Sequence, residues 1–306
     1  MPHPRVVSLL PSATEIVAAL GCEGWLVGRS HECDYPPAVR HLPVCSESKI
    51  DVSAGSAEID RQVKSLLRDA LSIYRVNSPV LRELSPDIIL TQTQCYVCAV
   101  SQRDVEQAVY EIAGCSPTIV SLEPYCLRDV WSCVRQVADA LGVPERGRDV
   151  AEQLEQRVRT LAERTAVMPR RPRVACIEWF NPLMSAGNWI PELVEIAGGV
   201  NLFGETGRHS PWMTWDDLIA SDPDMIVLLP CGWDIERSRR EMPVLTERPE
   251  WTRLRAVRDG QIFVTDGNQF FNRPGPRLVE SAEILAEILH SESLNFGHHG
   301  TGWQPM

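Results

Sequence analysis

The sequence predicts an α/β protein of two parallel-sheet lobes on either side of one long helix. Three observations carry this expectation. Apolar runs of strand length alternate with segments of helical period from residue 5 to about 290. One stretch, about 145–166, keeps Val150, Leu154, Val158 and Leu161 at spacings of 4, 4 and 3. The proline-bearing joint "MPRRPR" ends that stretch, and the same βα alternation then restarts. The division expected is an N-terminal α/β lobe over 1–143, a bridging helix over 144–168, a C-terminal α/β lobe over 169–290 and a flexible tail over 291–306, where no periodicity remains.

The elements follow in order. "RVVSLL" reads as a buried strand, followed by the helix "PSATEIVAALG", with Ser12 and Glu15 as a capping-box pattern and Gly21 as its stop. "WLVGRS" is a second strand. Residues 56–72 place Ile59, Val63, Leu66 and Ala70 on one helical stripe, and a short helix starts at Ser78-Pro79. Strand "PDIILTQT", a helix over 101–113, strand "PTIVSL" and a helix over 127–141 complete the first lobe. In the second lobe, strand "RVACIEW" is followed by helices at 190–197 and from about Trp215. Strand "DMIVLLP", a helix near 234–241, strand "QIFVTD" and a last helix over 276–290 close the pattern.

Composition narrows the function classes. A net charge of −11 over 306 residues argues against a nucleic-acid-binding surface. No run approaches the roughly 18 apolar residues of a membrane-spanning helix, so membrane insertion is not expected. The start "MPHPRVVSLLPS" has no basic leader or cleavage site, so a cytoplasmic protein is expected, or a periplasmic one if a leader was removed. The ten cysteines lack the spacing of a secreted disulfide scaffold, and Cys133 and Cys176 sit in apolar patterns as reduced core residues.

Ligands of open parallel sheets bind beyond the carboxyl ends of the strands. Those ends carry Ser12, "SHECDYP", "TQCYVC" and Glu123 in the first lobe, and "EWFNP", "LPCGWD" and "TDGNQFFNRPGP" in the second. His31, Cys33, Cys95 and Cys98 thereby become candidate metal ligands, facing Glu178, Cys231 and Asp266, with aromatic residues including Tyr35, Tyr96, Trp212 and Trp233 interleaved. Thiolates with imidazole suit zinc or an iron–sulfur cluster. A single Cys-x-x-Cys is also compatible with a redox dithiol before a helix, or with reduced cysteines lining a semi-apolar cleft. Dinucleotide, Walker, nucleophile-elbow and zincin motifs are absent from the sequence, and no general base stands beside a nucleophile.

"RVVSLLPSATEIVAALG", "GRSHECDYPPAVR", "LSPDIILTQ", "SAGNWIPELVEIAGGVNLF", "SPWMTWDDLIASDPDMIVLLP" and "VTDGNQFFNRPGPRLVESAEIL" occur in that order over roughly residues 4–290. This series resembles the iron-siderophore and cobalamin substrate-binding proteins of ABC importers, above all the cobalamin (vitamin B12)-binding members. The resemblance implies a class III periplasmic-binding-protein-like fold, two Rossmann-like parallel-sheet lobes joined by a single long helix. It also implies a ligand between the lobes against Tyr35, Trp179, Phe180, Trp212 or Trp215, Phe270 and Phe271. With Ser12, Tyr96 and Glu123 from the strand ends, these are the expected ligand-binding residues.

Importer docking in that family uses one surface carboxylate per lobe. Here those positions fall at Asp216 and at Pro79, with the helix 56–72 inserted before the latter, which counts against docking to an ABC permease. The function expected is binding of cobalamin, a related corrinoid or a metal chelate, as a cytoplasmic carrier, store or sensor, or as a transport-linked binding protein. The thiols or imidazole are candidate axial donors to cobalt. The alternative is a metal-thiolate or redox enzyme centred on Cys33, Cys95 and Cys98 in the same fold.

Overall fold

The structure is a computed structural model that describes residues 3–68, 73–93, 105–108 and 117–306. Its chain divides into two compact units. One comprises Met1–Ala54, Glu58–Pro124 and Arg128–Gln153, the other Gly55–Ala57, Tyr125–Leu127 and Leu154–Met306.

In the first unit β1 (Val6–Ser8), β2 (Leu26–Arg29), β5 (Ile88–Gln92) and β6 (Thr118–Leu122) form a sheet of order β2-β1-β5-β6, every neighbouring pair parallel. Val6, Val7, Ile89 and Leu90 are buried, as expected of strands covered on both faces. A separate antiparallel pair, β3 (Ser46–Ser48) and β4 (Tyr74–Val76), stands apart from this sheet. The helices are α1 (Pro11–Ala19), α2 (Ser56–Arg68), α3 (Ser78–Leu84) and α4 (Leu127–Ala140), and residues 105–108 are also helical.

The helix α1 starts where the sequence pattern puts it, but the capping box expected at Ser12 and Glu15 does not form. The helix begins at Pro11 with Leu10 as its N-cap, so Ser12 is a buried first-turn residue and makes no cap. Proline pre-organises the first helical position, and Leu10 at the N-cap has no side-chain acceptor. Gly21 does stop the turn, with φ +66.

The long helix α5 (Pro144–Ala166) forms over 23 residues, and the division between the two units falls inside it, after Gln153. Beyond it, β7 (Arg173–Trp179), β10 (Met225–Leu228) and β11 (Ile262–Thr265) pair in parallel, in the order β11-β10-β7. Short strands β8 (Met184–Ser185) and β9 (Val200–Asn201) pair with β7. The helices of this unit are α6 (Ile190–Ile196), α7 (Trp215–Ser221), α8 (Ile235–Glu241), α9 (Pro243–Thr246), α10 (Arg255–Arg258) and α11 (Leu278–Leu289).

The last sixteen residues differ from the flexible tail expected of them. β12 (Trp303–Pro305) pairs antiparallel with β11, and Trp303 is buried with its ring edge-on to Phe263. Among the described residues no helix is long and apolar enough to cross a membrane.

Candidate functional site

In the first unit the β1 and β2 ends hold a closed polar knot. Cys33 is fully buried; Thr14 Oγ1 donates to its Sγ at 3.1 Å, and Ser30 Oγ lies at the same distance. Burial pushes this thiol above its ordinary pKa against those hydrogen bonds, so it stays protonated. His31 Nδ1 lies 3.0 Å from Ser46 Oγ, and the imidazole is tilted against Tyr74 at 5.4 Å. Burial first, and the Arg29 charge second, hold His31 below 6.5, so it is neutral near neutral pH.

The expected metal set therefore finds no support in its described half. Cys33 is turned inward onto hydroxyls as a thiol, and His31 is engaged by a different partner. Among the described residues no group of three or more His, Cys, Asp and Glu side chains is placed to hold a metal ion. Cys95, Cys98 and Tyr96 lie outside the described residues.

The surface of this face is carried by Tyr35, 41% exposed in the loop after β2, and by Glu123 after β6, whose carboxylate accepts the Thr93 hydroxyl. A cavity of about 520 Å³ in the same unit runs beside the β3–β4 pair, lined by Glu47, Lys49, Tyr74, Arg75 and Asn77 among others. Among its described lining residues there is none of the sequence-predicted ligand contacts, and it follows the antiparallel pair instead of the parallel strand ends.

In the second unit the end of β7 builds an aromatic cluster. Trp233 stands 5.0 Å from Trp179 and 5.7 Å from Phe180, edge-on to the latter, with the Arg237 guanidinium 5.0 Å from its ring centre. Trp179 donates its indole N–H to the Ser56 carbonyl at 3.2 Å. Trp179, Phe180 and Trp233 are all buried, so they form a backing layer. Trp212 is the exposed aromatic, at 55%, held by a bridge to Met184 at β8. Trp215, at the start of α7, faces Trp251 and the Arg248 guanidinium.

The Glu178 carboxylate accepts the Ser210 hydroxyl at 2.7 Å. Asp266, after β11, accepts both the backbone and the side-chain N–H of Gln269 at 2.8 Å, capping a π-helical turn at Gly267–Phe271. Burial raises the Asp266 pKa while those two hydrogen bonds oppose it.

Two expectations for this turn need correction. Phe271 is 0% exposed, and its carbonyl accepts Trp189 Nε1 at 2.8 Å. Phe270 is also buried, beneath the Arg277 guanidinium at 4.6 Å. Both rings pack inward because burying their large apolar area outweighs leaving them in water.

Arg273 and Arg277 are buried side chains that donate to Asn268 Oδ1 and Gln269 Oε1 at 3.0 and 3.1 Å. Both follow the π-helical turn, four residues apart, and a buried arginine is unusual.

The residues thus divide. Tyr35, Glu123 and Trp212 are on the surface, Trp215 is partly covered, and Ser12, Trp179, Phe180, Phe270 and Phe271 are buried. Aromatic faces with a few oriented polar groups can hold a large flat amphipathic molecule.

A model of the periplasmic binding protein family matches residues 6–268. The vitamin B12-binding protein of Photorhabdus laumondii is 23% identical over 287 residues, covering 94% of this chain and 88% of that protein. Among solved structures, a periplasmic heme-binding protein from Pseudomonas aeruginosa superimposes with TM-score 0.71 at 23% identity, covering 96% of this chain and 95% of that one. The periplasmic vitamin B12-binding protein of Vibrio cholerae does so with TM-score 0.64 at 21% identity, covering 95% and 98%.

Proposed function

The chain belongs to the periplasmic binding protein family, and from that premise we propose that it binds a corrinoid, cobalamin or a close relative, at the carboxyl ends of its parallel strands. The observation that carries this reading is an exposed aromatic on each unit taken by itself, Tyr35 after β2 in the first and Trp212 beside β8 in the second, whose β7 end is stiffened by the buried Trp179–Phe180–Trp233 cluster. An exposed aromatic costs solvation and gains from a flat partner. The names of the curated relatives support a corrinoid in particular. Asn268 and Gln269, both half-buried, carry amides suited to the amide fringe of a corrin.

Asp216 is exposed in the first turn of α7, whereas Pro79 in the first turn of α3 carries no carboxylate. The proposal is therefore corrinoid binding, without a permease contact made through a carboxylate pair. Trp212→Ala and Tyr35→Ala, measured by equilibrium dialysis with hydroxocobalamin, are expected to weaken binding by about 5- to 10-fold each, roughly 1 kcal/mol per lost ring contact. Unchanged affinity in both variants would remove these side chains from the site.

A further inference from the structure

The segment that follows α11 returns along the edge of β11 and ends against the π-helical turn. Its β12 residues pair as Phe263↔Pro305, Val264↔Gln304 and Thr265↔Trp303. One step further, the Asp266 N–H donates to the Gly302 carbonyl at 3.0 Å, so the residue that caps the turn is itself held by this segment. His298 meets the ring of Phe270 edge-on at 6.1 Å, and Phe270 carries Arg277, which donates to Gln269.

Two carboxylates of α11 anchor the segment. Buried Glu287 accepts Trp303 Nε1 at 2.7 Å, the His298 N–H at 3.2 Å and the Phe296 N–H. Three donors of this kind offset the cost of burying its charge. Glu283 lies 3.2 Å from His298 Nε2 and accepts Arg157 of α5 at 2.9 Å. Gly302 packs closely here: a Cβ would stand 2.8 Å from Ile284 Cδ1 and would displace that side chain.

We propose that residues 296–305 are a brace that sets the conformation of the turn Gly267–Phe271, and through it the presentation of Asn268 and Gln269 to the ligand. The turn is a single π-helical turn, a rare local geometry, and Asp266 at its start is tied to the segment through the Gly302 carbonyl. The brace itself is a property of the ligand-free protein, and its second half rests on the corrinoid reading above. The charged groups around His298 are Glu280, Glu283 and Glu287 from α11 and Arg157 from α5, with Phe270 against it from the turn.

The test is His298→Ala in the full chain, read by amide hydrogen exchange without ligand and by hydroxocobalamin titration. Loss of one side-chain hydrogen bond predicts exchange at 267–271 faster by about 2- to 10-fold, with β7 and β10 unchanged, and a similar loss of affinity. Unaltered exchange at 267–271 would overturn the brace. Faster exchange with undiminished affinity would overturn its role in ligand presentation. A wild-type protein that binds no hydroxocobalamin would remove that role together with the corrinoid reading, while the exchange result still decides the brace. Should His298→Ala fail to fold, Trp303→Phe, which keeps the ring and removes the donor to Glu287, carries the same two measurements.

Discussion

Trp212 and Phe271 come from stretches that look alike in sequence, aromatic residues beside prolines after a strand, yet one is 55% exposed and the other not at all. Phe271→Ala is expected to cost about 3–5 kcal/mol, the usual range for emptying a buried phenylalanine site, and to appear as a clear drop in urea midpoint. Trp212→Ala is expected to stay within about 0.5 kcal/mol of wild type by the same measurement. A large loss at Trp212 would place it in the core instead. Sequence alone could not separate the two, because side-chain direction there is set by β8 and by Trp189, contacts remote along the chain. Cys33 shows the same limit. Its position after a strand invites a ligand role, while Thr14, nineteen residues earlier, turns it inward.

Elements whose stability is local were legible, and those held by distant partners were not. The spacing of Val150, Leu154, Val158 and Leu161 gave α5, because a regular apolar stripe is itself the cause of a packed helix. The sequence pattern points to a capping box at Ser12 and Glu15, whereas α7 carries one at Thr214 and Asp217, with hydrogen bonds in both directions. Thr214→Ala is expected to lose about 1 kcal/mol of stability. The Thr214 hydrogen bonds hold Asp217 below 3.8, so its contribution is present above that pH and is lost as pH falls through the depressed folded value. A stability gap between wild type and Thr214→Ala that did not narrow in acid would contradict this assignment.

β12 was missed because three residues ending in proline carry no period. It is held by Glu287 and Trp303 instead. His298 is raised above 6.5, first by its bond to Glu283, so its stabilising share is full below pH 6.5 and is lost as pH rises through the folded value. Burial alone would raise Glu283, but the bonds from His298 and Arg157 outweigh it and hold the carboxyl below 4.5. Its share is therefore lost as pH falls through that depressed value. Thermal unfolding of wild type and His298→Ala should converge on raising pH from about 6 to about 9. A constant difference would separate His298 from this network.

For the whole molecule, two sheets with parallel centres, one on each side of the division within α5, followed from βα alternation, since short apolar runs between helical periods leave few other architectures. The ligand could not be read at that level, because one fold serves many ligands and chemistries. It is carried instead by the surface aromatics and by family membership. The most direct measurement is an anaerobic absorbance titration of the reduced full chain with hydroxocobalamin. A saturable shift of the corrin bands with one-to-one stoichiometry is the result predicted. Spectra that simply add, at protein concentrations up to tens of micromolar, would contradict corrinoid binding and with it the central claim.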